Sequence, residues 1–288
     1  MKVNNLIKYI KEQNQRVIIT YIEGTMSFIV YKLLTNTFEK IEPIVSQEIK
    51  FKALPYNSRH CNIANQNKIF ITGGLQNELT ACFYDYDINL LGELPDMKYE
   101  KFSHTMIGLY DELFVLGGHS SSKVEVYHTE FEDWNDLPDL NYDRQDPGIC
   151  IINDNILYVF MGYSYIEGRM LKNFEKLHLD NRQKGWKLLS VFNPIDLNAI
   201  TTHCAIFPYE NGVIIFGGFK EGNSVDSVTF FHLESYVLSR IPIKMPFTTA
   251  FQEKSFYTLD NSDYYIFTWG SNRLLNFKPD KLTLKEII

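Results

Sequence analysis

Three histidines recur at matched spacing. His60, His104 and His203 lie 13, 13 and 14 residues before Gly73, Gly117 and Gly217. Imidazoles repeated in this way could converge as a metal ring, which needs three ligands and an open position. The corresponding places elsewhere in the chain hold Gly148, Phe256 and about Ile10. The recurrence therefore reads as structural, each imidazole bonding backbone in a corner of a repeated unit. The glycine pairs could be taken for phosphate loops, but no G-x-x-x-x-G-K-[ST] occurs and no glycine-rich turn opens a helix. Neither G-x-S-x-G nor H-E-x-x-H is present. Asp111-Glu112 and Glu132-Asp133 fall in turns and read as solvated pairs rather than general acids and bases. Cys61, Cys82, Cys150 and Cys204 are scattered, and read as small buried hydrophobes of a reducing compartment. The expectation is a non-enzymatic chain with no cofactor and no metal.

The elements that carry these residues repeat. In Asp111 to Leu140 an apolar run, Leu113 to Leu116, stops at Gly117-Gly118. A polar loop follows, then a β-rich run to Tyr127, with Trp134 seven residues later and Leu137-Pro138 beyond it. An aromatic at position zero, a large apolar residue at +7 and an aliphatic at +10 recur in other places. Tyr31, Phe38 and Ile41 fit this frame, as do Tyr84, Leu91 and Leu94. So do Phe231, Leu238 and Ile241, and Phe277, Leu284 and Ile287. A sixth copy, Leu177 to Leu189 with Trp186, needs about two extra residues in its turn. Upstream, β-rich runs end at Gly24, Gly74, Gly118, Gly162, Gly218 and Gly270, in steps of 50, 44, 44, 56 and 52 residues. Glycine fits such ends because a sharp turn among packed strands needs positive φ or close backbone approach. Each unit is then a four-stranded antiparallel meander.

The order of His, apolar run, Gly-Gly, Tyr, Trp and Leu-Pro resembles the kelch repeat, from about Val17 to Ile288. It is most specific over Ser58–Met97 and Lys101–Leu140. The resemblance implies an all-β, six-bladed β-propeller of four-stranded antiparallel blades, an architecture that leaves only short, protected sheet edges. Expected blades are 17–50, 51–97, 98–140, 141–192, 193–245 and 246–288, with residues 1–16 a short helix or the innermost strand of blade one. Departures are Glu23-Gly24, Met161-Gly162 and Trp269-Gly270 in place of Gly-Gly, and Pro147-Gly148 where the second unit has Arg59-His60.

Composition narrows the partners. The formal net charge is −7 and the pI about 5.5. That disfavours nucleic acid, whose binders need a basic footprint, and anionic membranes. The first fifteen residues lack the apolar core of a secretory signal, and no run approaches a membrane span. A cytoplasmic location is expected, with no obligate small molecule.

Function is then expected in the loops. Loops joining second to third strands emerge on the same face as loops joining blades. They collect Tyr56, Arg59, Tyr99, Lys101, His119, Tyr142, Arg144, Tyr163, Tyr165, Arg169, Phe219 and Lys220. Tyr and Arg combine contact area with polar reach and are enriched at binding hot spots. The loop from Tyr163 to Asn173 is the longest of its kind and the first candidate contact. The resemblance implies a protein-interaction module or scaffold within a larger assembly, with cytoskeletal or ciliary settings among those known for the family. A substrate-recognition subunit of a ubiquitin ligase, or a small-molecule (sugar) enzyme on the same fold, are the alternatives.

Overall fold

The computed structural model describes residues 17–32, 35, 37–47, 49–63, 66, 68–192, 202–249, 255–258, 264–268, 273–278, 281 and 283–286. The expected helix or strand at 1–16, and the turn at Trp269-Gly270, lie outside them. The chain divides into two compact units. One comprises residues 1–115 with 125–136, and the other 116–124 with 137–288.

The chain is all-β, built from successive up-and-down antiparallel sheets of the kelch type. Blade one contributes three described strands, Val17–Tyr21, Phe28–Lys32 and Thr37–Ile41. Blade two runs Arg59–Asn62, Lys68–Thr72, Ala81–Asp85 and Leu90–Glu93. A short strand, Ile44–Val45, pairs parallel with its outer edge. Blade three runs Thr105–Leu109, Glu112–Leu116, Val124–His128 and Asp133–Leu137. Blade four runs Gly148–Ile152, Ile156–Phe160, Phe174–His178 and Lys187–Leu189. Blade five runs Ala205–Tyr209, Gly212–Phe216, Asn223–His232 and Leu238–Thr249. Blade six runs Ser255–Thr258, Tyr264–Thr268, Arg273–Lys278 and Thr283–Glu286.

The seven-residue spacing in the sequence is a pairing register. Tyr31 stands opposite Phe38, Tyr84 opposite Leu91, Phe231 opposite Leu238 and Phe277 opposite Leu284. The Tyr127 and Trp134 rings meet at 5.0 Å in the same way. Directly opposed side chains share one face of a sheet, so Tyr84 with Leu91 and Phe231 with Leu238 enter the core together, while Phe38 opposite the buried Tyr31 stays exposed. In blade four the extra residues form a 3-10 turn, Leu179–Lys184, between Leu177 and Trp186.

Within each unit the core lies between consecutive blades. Successive strand residues point to opposite faces. In blade two, Ile69 and Ile71 pack with Tyr21, Phe28 and Val30 of blade one, while Phe70 packs with Leu113, Val115 and Tyr127 of blade three. In blade five, Val213 and Ile215 join Phe160 and Phe174 of blade four, while Ile214 and Phe216 join Ile266 and Phe277 of blade six. The second strands of blades two to five are buried on both faces, which is why they read as nearly unbroken apolar runs. Cys82, Cys150 and Cys204 sit in these clusters, and burial pushes the Cys82 and Cys150 thiols above their ordinary range.

The approach segments between blades are pinned by repeated polar contacts. Gly74 N–H donates to the Lys101 carbonyl at 2.9 Å, and Gly118 N–H to the Arg144 carbonyl at 2.8 Å. A Cβ on Gly117 would stand 2.6 Å from that Arg144 oxygen, and its φ is +67°, so both space and backbone require glycine. The Trp134 indole donates to the Pro95 carbonyl and the Trp186 indole to the Pro138 carbonyl, each at 2.8 Å.

Behind the approaches to blades three and four sits a buried glutamate on the third strand. Glu175 accepts from the Asn141 N–H at 2.8 Å and from Arg144 Nε and Nη2 at 3.0 and 2.8 Å. Arg144 Nη2 also donates to Asn173 Oδ1 at 2.7 Å. Burial lowers the Arg144 pKa, opposed by Glu175. Glu125 accepts from Lys98 N–H at 2.8 Å and lies 3.9 Å from the Lys101 ammonium. Burial raises the Glu125 pKa, opposed by Lys101.

Replacing Glu175 with Ala is expected to cost about 3–5 kcal/mol of stability, because it leaves a buried guanidinium without its carboxylate. Glu175→Gln, which keeps the shape and an acceptor, should cost less. Urea unfolding of the two variants beside wild type measures the difference, and equal midpoints for all three would contradict it.

Candidate functional site

The three repeated histidines do not occupy one structural position. Counted from the start of each blade's first strand, His60 lies one residue inside (Arg59 first), His104 one residue before Thr105, and His203 two before Ala205. The hairpin after the first strand is longer in blade two than in blades three and five, and His203 stands one residue further from its glycine than the other two, so similar spacing conceals unequal places. Each histidine instead meets a side chain of the preceding blade. His60 packs edge-on to Tyr21 at 5.0 Å, His104 Nε2 lies 2.8 Å from Thr72 Oγ1, and His203 Nε2 lies 2.9 Å from Asp146 Oδ2. Among the described residues no group of three or more His, Cys, Asp or Glu is gathered to hold a metal.

Of the loop residues singled out in the sequence, Arg59, Lys101 and Arg144 are corrections. All three are buried, at 6%, 1% and 0% exposure. The approach segments turn Lys101 and Arg144 inward to face the third-strand glutamates, and Arg59, the first residue of its strand, donates from Nη1 to the Ser58 carbonyl at 2.8 Å. Tyr56 is exposed. Tyr99 and Tyr142 are half-buried, with Lys101 Nζ 5.8 Å over the Tyr99 ring. Lys220 is half-buried, 3.9 Å from Glu221.

The structure brings Tyr163, Tyr165, Arg169 and Phe219 together. They line a cleft of about 450 Å³ built by the loops of blades four and five, with Asp146 and His203 on its wall. Backbone pairing sets this geometry. Gln145 and Tyr163 exchange two N–H···O bonds of 2.8 and 2.9 Å, and Thr202 and Phe219 exchange two of 3.0 and 2.8 Å. Each approach segment thus adds a bridge to the loop leaving the second strand.

Asp143 holds the long loop. Its carboxylate accepts from the Ser164 hydroxyl, from Tyr165 N–H at 2.7 Å and from Ile166 N–H at 3.3 Å. Ser164 Oγ in turn accepts from Glu167 N–H at 3.0 Å. Tyr163–Ser164 and Arg169–Met170 close the loop as a two-stranded ribbon. Tyr165 therefore stands on a fixed backbone. Its ring lies 3.9 Å from His119 and meets Tyr163 at 5.1 Å and 80°. Tyr165 and Phe219 remain exposed, and Arg169 donates to Glu167 through Nε at 2.7 Å.

The cleft offers aromatic faces, one buried carboxylate beside an imidazole, and a guanidinium already held by a carboxylate. Sequence reading missed Asp146, Glu221 and the anchoring role of Asp143, and it placed His203 only as a repeat residue. One signal was present. Asn57, Ser103, Asp146 and His203 each lie two residues before a first strand with φ near +50°. Polar Asn, Asp and His tolerate that conformation, but only the strand boundaries align them.

His60 supplies a pH test. Burial, then the Arg59 charge, push its pKa from 6.5 down to about 4. The folded state keeps the ring neutral, while the unfolded chain takes up a proton below 6.5. The stabilisation is complete above that value and is lost as pH falls through the folded pKa, amounting to roughly 3 kcal/mol. Urea midpoints taken from neutral pH down to the folded pKa should fall more steeply for wild type than for His60→Gln. Parallel slopes would refute the assignment.

No protein-family model matches the chain. Its sequence is similar to human Kelch-like protein 23, 26% identical over 118 residues, which is 39% of this chain and 21% of that protein. Kelch-like protein 23 of Mus musculus matches with the same figures. The match spans about a fifth of those relatives' length, so it speaks to the repeats alone. Together with the strand registers and glycine turns, it supports kelch-type repeats as the building unit of this chain.

Proposed function

We propose that this chain is a non-enzymatic protein-interaction module that docks a protein segment in the cleft between the blade-four and blade-five loops. The observation that carries the reading is the clamped loop 163–170. A carboxylate with three donors fixes its backbone, and it presents Tyr165 at 48% exposure beside Phe219. An aromatic anchor on a preorganised backbone loses little conformational freedom on binding, which is what an effective contact needs. A cleft of this volume falls in the ordinary range for binding sites. The similarity to Kelch-like proteins agrees with an interaction role.

In this reading the chain acts within a larger assembly in the cytoplasm, where its four free cysteines stay reduced. Cytoskeletal or ciliary scaffolding would use the cleft to hold a component in place. The substrate-recognising part of a ubiquitin ligase would use the same cleft to capture a target.

Affinity capture with wild type and with a Tyr165→Ala/Phe219→Ala double variant decides. Both rings are solvent-accessible, so the variant should fold with an unchanged urea midpoint and lose a defined subset of partners. The same partners recovered from both proteins would remove this cleft from consideration.

A further inference from the structure

A second cavity lies within the first compact unit, between blades two and three. Its volume is about 330 Å³, at the small end of the range for ligand sites. Phe70, Leu94 and Pro95 give it an apolar surface. The Phe83 ring borders it and lies against Gly92, its directly opposed neighbour, where a Cβ would stand 2.5 Å from the ring. Gln66 Nε2 donates to Thr129 Oγ1 at 2.9 Å and ties the two blades together beside it.

The polar groups of this wall are not spent on one another. In blade two the Tyr84 hydroxyl donates to Asn89, five residues on, at 2.9 Å. The same offset in blade three leads from Tyr127 to Glu132, yet no hydrogen bond joins them. Among the described residues the Tyr127 hydroxyl has no hydrogen-bond partner, although Tyr127 is 1% exposed and lines the cavity. A buried donor without an acceptor is costly and uncommon in a folded chain. Burial, and then the Glu132 and Asp133 charges, push its pKa up to about 12, so it keeps its proton. Three charged side chains share the wall. Glu93 is held by Lys50 at 3.3 Å. Lys68 Nζ lies 4.3 Å over the Phe83 ring, and among the described residues neither Lys68 nor Glu132 has an ion-pair partner. A cation and an anion thus border one small cavity without pairing with each other.

A ligand with a single charge would satisfy one of these groups and be repelled by the other. A ligand that carries both charges close together satisfies both. The uncharged remainder of that ligand meets an apolar surface. We propose that this cavity binds a free α-amino acid with an apolar side chain. Its carboxylate accepts from Lys68 and the Tyr127 hydroxyl, its ammonium faces Glu132, and its side chain lies against Phe70, Leu94 and Pro95.

Calorimetric titration of the full chain with leucine, valine and methionine tests this. N-acetylleucine, which lacks the ammonium, and leucinamide, which lacks the carboxylate, serve as the blocked forms. At least one free amino acid should bind, and the blocked forms should bind about tenfold or more weakly, the cost of one charge-assisted hydrogen bond. Lys68→Gln should erase the preference over leucinamide, and Glu132→Gln the preference over N-acetylleucine. Tyr127→Phe, which keeps the ring in the core, should weaken the free amino acid by a smaller factor. Lys68 is half-buried and Glu132 exposed, so both charge variants should keep the wild-type urea midpoint. If either fails to fold, the free and blocked ligands compared on wild type still decide. Absence of binding up to about 10 mM would overturn the proposal. So would equal affinity for free and blocked forms, or a preference that survives both charge substitutions.

Discussion

Double-sided burial governs this protein. A sheet whose second strand is covered on both faces must place apolar residues along nearly all of that strand, and it must hold its outer strands in register with no solvent face to correct a slip. A one-residue shift moves each side chain to the opposite face. Here such a shift would send Ile69 and Ile71 from the blade-one side of blade two to the blade-three side, and Phe70 the other way. The aromatic-to-aliphatic pairs are what prevent it. Tyr84 opposite Leu91 and Phe231 opposite Leu238 fill one layer of the core with a matched large pair, and any other pairing leaves a void or a clash.

Burial on both faces also creates a difficulty where the chain passes from one blade to the next. Backbone groups of the approach segments are taken out of water and need partners. Blades three and four solve this with a buried carboxylate that accepts an approach-segment N–H and faces a buried cation, as Glu125 does with Lys98 and Lys101, and Glu175 with Asn141 and Arg144. In blade two the third-strand position holds Cys82, and its approach segment carries Leu54 and Pro55 there instead of a cation. In blades two, three and four, carboxylate and cation are therefore present together or absent together. Either alone would leave a buried charge uncompensated, the more expensive outcome by several kcal/mol.

This distinction explains how much of the molecule was legible in its sequence. The frame of Tyr, then a large apolar residue at +7, is a register, and a register repeats because geometry repeats. Gly117 was legible for a similar reason: only glycine takes φ +67° with a carbonyl oxygen that close. The cations were misread. Arg144 stands in a loop with a Tyr beside it, which is how a surface contact looks in one dimension. Its burial depends on Glu175, thirty-one residues later, and no local pattern announces that pairing. The histidines failed differently. Their spacing to the glycines was similar, but the hairpin of blade two is longer than those of blades three and five and His203 lies one residue further from its glycine, so the three were equated across unequal places. Part of the cleft was visible, because Tyr163, Tyr165, Arg169 and Phe219 lie between the main blade strands. Asp146 was not, because its place depends on a strand boundary.

The cleft lies where the repeat is least regular, and the irregularities have a common physical result. Blade four has Met161, with φ +54°, where blades two and three have Gly73 and Gly117. It has Pro147-Gly148 in its approach, and after Gly162 its loop runs long enough to form a ribbon of its own. A regular unit spends its polar groups on holding blades together. In blade four, Arg144 and Glu175 already do that work, which leaves Asp143 to clamp a projecting loop and Asp146 to face the next blade's His203. Strained or irregular positions persist only where surrounding contacts over-determine them. The Arg144 guanidinium, bonded to the Met161 carbonyl and to Asn173 as well as to Glu175, is that over-determination. The buried ion pair is thus the support that allows one loop to depart from the repeat and carry exposed aromatic rings on a rigid base.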